Sequence, residues 1–247
     1  MTEKRFAGKS VIVTGAGNGL GRAYAEAFAA EGASVTVADI DLSAAREAAR
    51  AIEGSAPVGV DVADEESVAS MVATAVGRFG GVDVLINNAG LHMGQYNLTS
   101  TLPLADWRRL FDVNVFGAAL CARHSRDAMV SRGGGVILNQ SSNSSYLGGG
   151  AYSVSKLALN GLTLSLAREF AQDGIRVLGI APGMIASEAV LERLEDTSKQ
   201  RILGEQLIRR FGRAEDLVGM ALLLCSDDAS FVTGQTVTVD GGFIKRV

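Results

Sequence analysis

The sequence predicts an α/β fold, a doubly wound parallel sheet of seven strands with helices on both faces, from two observations. Short runs rich in β-branched residues alternate with longer amphipathic stretches along the 247-residue chain, and no Pro-rich, Ser-rich or charged linker interrupts them. Regular alternation implies right-handed βαβ crossovers and a parallel sheet covered on both sides. A chain of this length builds one large core, so residues 1–247 are expected to form a single domain.

The first strand is expected at 10–14, followed by a glycine-rich turn and a helical pattern from Arg22 to Glu31. The second, 34–39, ends on Asp39, and Asp41 then stands where an N-cap is needed for a helix from Leu42. After the third, 57–60, the acids Asp64, Glu65 and Glu66 suit a helix N-terminus. The fourth, 82–87, leads into Asn87 to Gly90, and residues 104–130 then read as one long helix packed through Trp107, His124 and the aliphatic residues of 113–120. A fifth strand at 135–139 precedes a Ser-rich segment and a helix over 152–172. Strands at 176–181 and 236–240 complete the sheet. Between them, residues 184–211 read as a mobile helical lid, with Leu191, Leu194, Ile202 and Leu207 supplying apolar contacts to substrate. Arg193, Lys199, Arg201 and Arg209, interspersed with Glu, read as its solvated face.

Composition excludes several functions. The net charge is −4 with no basic stripe, so nucleic acid is not an expected partner. The N-terminal residues hold no apolar run fit for a signal peptide, and the uncharged stretch 133–155 is too rich in Gly, Ser and Asn to span a membrane. A cytoplasmic protein is expected. Cys121 and Cys225 lie in apolar helical contexts without CxxC spacing or a His/Cys cluster, which predicts two reduced core thiols and no metal site.

In a doubly wound sheet, ligands bind beyond the carboxyl ends of the strands. There stand Gly15, Asn18, Gly19, Leu20 and Gly21, between a strand and a helix. Such glycines let the backbone turn tightly and approach a pyrophosphate, whose charge is favoured by the helix N-terminus. Asp39 follows 18 residues after Gly21, where a Rossmann fold places an acid on the adenosine ribose, with Ile40 beside it. A carboxylate accepts from ribose hydroxyls and repels a 2′-phosphate, so NAD is the expected cofactor rather than NADP. No Lys or Arg in the turn or just after Asp39 reverses this. Asp61 and Val62, after the third strand, are expected to frame the adenine.

Tyr152 and Lys156 lie four residues apart at a helix start, on one face. An ammonium beside a phenol favours phenolate, which predicts a general base for removing an alcohol proton as hydride leaves carbon. With the glycine turn, Asn87 to Gly90, Ser141–Ser142, the Tyr152/Lys156 pair and Pro182–Gly183 in this order, the chain resembles the short-chain dehydrogenase/reductase family from about Lys9 to Gly242. The resemblance implies that Ser142 hydrogen-bonds the substrate oxygen and that Asn114 holds a water linking Lys156 to solvent. It also implies cofactor contacts from Asn88, Ala89, Gly90, Tyr152, Lys156, Pro182, Gly183, Ile185 and Ser187, and a homotetramer built on the two long helices. Ser187 stands where the family usually has threonine, which keeps the hydroxyl. The interval from Ser142 to Tyr152, 10 residues, is shorter than usual in the family, which leaves Ser141, Ser144 and Ser145 as rival serines. His92, without an acidic neighbour in sequence, reads as incidental.

The function implied is NAD-dependent hydride transfer on a small or hydrophobic secondary alcohol or ketone, with a small molecule as partner. Two alternatives stay open: an NADP-dependent 3-oxoacyl-carrier reductase, disfavoured by Asp39, and an NADH-sensing regulatory protein, which has no need of a Tyr/Lys proton relay.

Overall fold

The computed structural model describes residues 4–92, 94, 96, 98–186 and 195–245. Its single sheet runs β3-β2-β1-β4-β5-β6-β7, all neighbours parallel. The strands are β1 Ser10–Thr14, β2 Ser34–Asp39, β3 Ala56–Gly59, β4 Val84–Asn87, β5 Gly135–Gln140, β6 Ile175–Pro182 and β7 Thr236–Val239. The order reverses between β1 and β4, and there the loops after the strands part to form a cleft.

Alternation along the strands sorts side chains between two helical layers. Val11 and Val13 of β1 face a core shared with Tyr24 and Phe28 of α1 (Gly19–Ala30), Ala45 of α2 (Leu42–Arg50) and Leu217. Ile12 faces the opposite core, with Met71 of α3 (Glu65–Phe79), Cys121 of α5 (Gly117–Val130) and Leu166 of α6 (Gly150–Glu169). Shorter helices complete the described residues: α4 (Leu104–Phe111), α7 (Asp196–Glu205) and α8 (Ala214–Cys225), which carries Leu217. No helix among the described residues is long and apolar enough to cross a membrane. Both cysteines are buried and free, and burial pushes each thiol up to about 12.

Local chemistry sets the boundaries. Asp41 caps α2, accepting from Ser43 N and Ala44 N, and Asp64 caps α3 through Glu66 N and Ser67 N. The expected strand over 82–87 starts only at Val84, because the buried Asp83 carboxylate turns to Ser10 N at 2.8 Å and to Arg132 at 3.1 Å. The expected helix over 104–130 is interrupted by a five-residue π-helical turn, Asp112–Phe116. Gly117 ends that turn against Val62, where a Cβ would stand 2.9 Å from the valine Cγ2, and the widened turn brings Asn114 inward. His124 lies between helices as expected, its Nε2 on α5 standing 3.2 Å from Glu65 Oε1 on α3.

Candidate active site

The cleft encloses about 740 Å³ and is lined by twelve residues expected from sequence, from Gly15 through Asp39, Ile40, Asp61 and Val62 to Asn88, Ala89 and Gly90. The glycine turn has little freedom to change. Gly15 and Gly19 hold φ of +63° and +55°, and a Cβ on Gly21 would stand 2.1 Å from Gly15 O and 2.5 Å from Asn88 Nδ2. Asn88 braces the turn from the next strand by donating through Nδ2 to Thr14 O and Gly15 O, both at 3.0 Å. Thr14 Oγ1 accepts from Asn88 N and Ala89 N, each at 3.1 Å. No acidic residue occupies the first turn of α1, so its open N–H groups can receive an anion. These features fit a dinucleotide pyrophosphate.

Asp39 closes the other side of the turn. Its Oδ2 accepts from Gly17 N at 2.8 Å and its Oδ1 from Asp41 N at 3.0 Å. Two main-chain donors therefore hold the carboxylate at the cleft, where it can meet a ribose. Asp61 is exposed and accepts from Ala63 N at 2.9 Å, while Val62 is buried beside it.

Tyr152 and Lys156 project from α6 on the same side. Ser142 is hydrogen-bonded to the Tyr152 phenol. Lys156 is only 4 % exposed; its Nζ donates to Gln140 O at 2.8 Å and lies 5.7 Å from the centre of the Tyr152 ring. Burial pulls the ammonium down to about 8. Burial also raises the phenol, against a smaller lowering by Ser142. This corrects the expectation that the neighbouring ammonium would pull the phenol down: desolvation is the larger effect at both groups, and it weakens the positive charge that was to do the pulling.

The rival serines are engaged elsewhere. Ser141 Oγ donates to Asn160 Oδ1 at 2.6 Å, Ser145 Oγ donates to Ser142 O at 2.7 Å, and Ser144 Oγ donates to Ser142 Oγ at 2.9 Å. The short interval to Tyr152 is taken up by a single 3-10 turn, Asn143–Tyr146, and by Gly148 and Gly150 at φ of +70° and +76°. Asn114 is buried at the π-helical turn. Its Oδ1 accepts from Leu91 N at 2.7 Å, and its Nδ2 donates to Leu91 O at 3.3 Å and Ser155 Oγ at 3.1 Å. Gly90 sits between Asn114 and Lys156: a Cβ on it would stand 3.2 Å from Asn114 Oδ1 and 3.4 Å from Lys156 Nζ.

Five expected cofactor contacts do not line the main cleft: Tyr152 and Lys156 on α6, the lysine standing behind Gly90, and Pro182, Gly183 and Ile185. Pro182 is buried at the end of β6, while Gly183 and Ile185 line a smaller cavity of about 170 Å³ with Gln206 and Asp240. Ser187 lies outside the described residues, as do Leu191, Arg193 and Leu194 of the expected lid. Sequence reasoning missed Arg108, Arg109, Asp112 and Val113, which line the cleft from α4 and the turn after it, and it set aside His92, which also lines it. Inspection of strand ends alone cannot find residues carried in by a helix. Helical spacing could have: Arg109 is four residues before Val113, and Val113 precedes Asn114. No cluster of three metal-ligating side chains exists among the described residues.

Comparison with known proteins shows the family. A family profile described as Enoyl-(Acyl carrier protein) reductase matches residues 15–244. An uncharacterized oxidoreductase of Mycobacterium tuberculosis is 45% identical over 98% of this chain and 99% of its own length. A probable short-chain type dehydrogenase/reductase of Bradyrhizobium diazoefficiens is 41% identical over 98% of this chain and 90% of its own. The solved structure of a 7 alpha-hydroxysteroid dehydrogenase complexed with NADH and 7-oxo glycochenodeoxycholic acid has a TM-score of 0.91 at 36% identity, covering 97% of this chain and 96% of that one. With likeness over nearly its whole length, the chain belongs to the short-chain dehydrogenase/reductase family and is an oxidoreductase acting on CH–OH groups.

Proposed function

We propose that this enzyme transfers hydride between NAD(H) and a hydrophobic secondary alcohol or ketone, with Tyr152 as general acid and base. The observation that carries the proposal is the convergence of the Ser142-bonded phenol and the buried Lys156 beside a glycine-lined dinucleotide cleft. Bound there, the nicotinamide supplies hydride exchange at carbon. In alcohol oxidation Tyr152 Oη takes the hydroxyl proton while Ser142 Oγ holds the same oxygen; in reduction the phenol returns the proton. Lys156 keeps a positive charge close to the phenol as phenolate forms, and Asn114 holds the backbone at Leu91 so that a water can link the lysine to solvent. NAD over NADP rests on Asp39, which presents a carboxylate to the ribose. An apolar substrate is supported by the cluster around Tyr152, where Leu91, Leu102 and Trp107 pack with Leu110 and Ala151.

Substituting Tyr152→Phe is expected to lower kcat by about 10² to 10⁴-fold while NADH affinity stays near native. Turnover comparable to the native enzyme would remove the assigned base. The family profile's description favours a second reading, a carrier-bound acyl substrate, which predicts better turnover with NADPH and an acyl-carrier thioester than with NADH and a free ketone.

The proposal extends to a single catalytic domain with residues 184–211 as a lid. Within that segment α7 is formed, and Lys199 pairs with Asp196 at 3.0 Å on its outer face. A homotetramer in the cytoplasm belongs to the same proposal. It is supported by exposed apolar side chains on α4 to α6 and the turn between them, including Leu104, Phe116, Val154 and Leu157. Sedimentation at micromolar concentration should give a tetramer, and a monomer alone would refute that part.

A further inference from the structure

α1 buries a tyrosine completely in an apolar core, and such a phenol needs a partner. Tyr24 Oη donates to Gln140 Oε1 at 2.9 Å, from the helix that carries the glycine turn to the last residue of β5. The carbonyl oxygen of the same Gln140 accepts from Lys156 Nζ at 2.8 Å. Gln140 is thus tied at both ends, by its side chain to the dinucleotide helix and by its backbone to the lysine of the proposed proton relay. It also precedes Ser141 and Ser142 directly.

We infer that Tyr24 is a positioning residue, which holds Gln140 so that Lys156 and Ser142 keep their place relative to the dinucleotide turn. The inference rests on the proposed roles of Tyr152, Lys156 and Ser142. Burial drives the Tyr24 phenol far above its ordinary range, so the group donates at every working pH and the bond keeps one direction. Strand pairing constrains β5 at Gln140 from β6 alone, since β4 ends opposite Asn139. Tyr24 adds a second anchor at this strand end, reaching the Gln140 side chain from the helical layer over the sheet.

The test is Tyr24→Phe, which keeps the ring and removes the donor, together with Gln140→Met, which removes the acceptor at similar volume. A misplacement well under 1 Å of reacting groups is costly, so kcat should fall about tenfold or more in each, with KM for substrate and Kd for NADH within about twofold of native. Because both variants break one bond, the double variant should lose no more kcat than either alone. A purely structural pair would lower Tm and leave kcat native at 25 °C; native kcat in both folded single variants overturns the inference. Tyr152→Phe is the separate control. If it turns over like the native enzyme, the proposed function fails; if it is inactive while Tyr24→Phe and Gln140→Met are native, only the positioning role fails.

Discussion

Asp39→Asn should change which cofactor the enzyme accepts, and the structure sets the size of the effect. For a phosphate charge about 4 Å from the carboxylate, one unit charge is repelled by roughly 4 kcal/mol at an effective dielectric near 20 and by about 1 kcal/mol in water. Asp39 is half-buried, so a value of about 2 kcal/mol, or about 30-fold, is the reasonable expectation. The substitution has a structural cost. Asp39 now accepts from two backbone donors, Gly17 N and Asp41 N, and an amide offers one oxygen to the pair while its NH₂ confronts the other. Stability should fall by about 1–2 kcal/mol. The assay is kcat/KM with NAD⁺ and NADP⁺ for one alcohol at fixed ionic strength, with Tm measured alongside. The ratio of NADP⁺ to NAD⁺ efficiency should rise about 30-fold, mainly through KM for NADP⁺. A folded variant with an unchanged ratio, or a native enzyme that already prefers NADP⁺, would refute the reasoning.

Three further outcomes follow from burial and close packing. Lys156 has its folded pKa depressed to about 8 from 10.5, so the folded state releases this proton first and stability from this group rises with pH between those values. Lys156→Met should therefore be more stable than the native protein at pH 7, by up to about 3 kcal/mol, and lose that margin toward pH 10.5; urea melts showing a pH-independent difference would refute it. Since burial raises the Tyr152 phenol, alcohol oxidation, which uses phenolate, should gain in kcat/KM as pH rises, and ketone reduction should decline at the alkaline end; parallel pH profiles in the two directions would contradict the assigned role. Gly21→Ala places a methyl against the Gly15 carbonyl and Asn88, neither of which can retreat without opening the turn, so NADH affinity measured by fluorescence titration should fall by about tenfold or more. Unchanged affinity would mean that the turn does not hold the dinucleotide.

Local pattern alone determined the seven strands, the glycine turn between β1 and α1, Asp39 at the end of β2 and the facing of Tyr152 toward Lys156. Each of these depends on spacing along a single element: a period of two in a strand, four residues in a helix, or a turn that only glycine permits. The tertiary structure decided what depends on distant segments meeting. It brought Ser142, of the four serines, to the Tyr152 phenol, while the other three donate to Asn160 or to Ser142. It broke the helix after α4 where Gly117 meets Val62, and so brought Asn114 inward and Val113 to the cleft. It joined Tyr24 to Gln140 across 116 positions of sequence. It also reversed the expected direction at Tyr152, because desolvation is a property of everything packed around a group, and no spacing between two residues carries it.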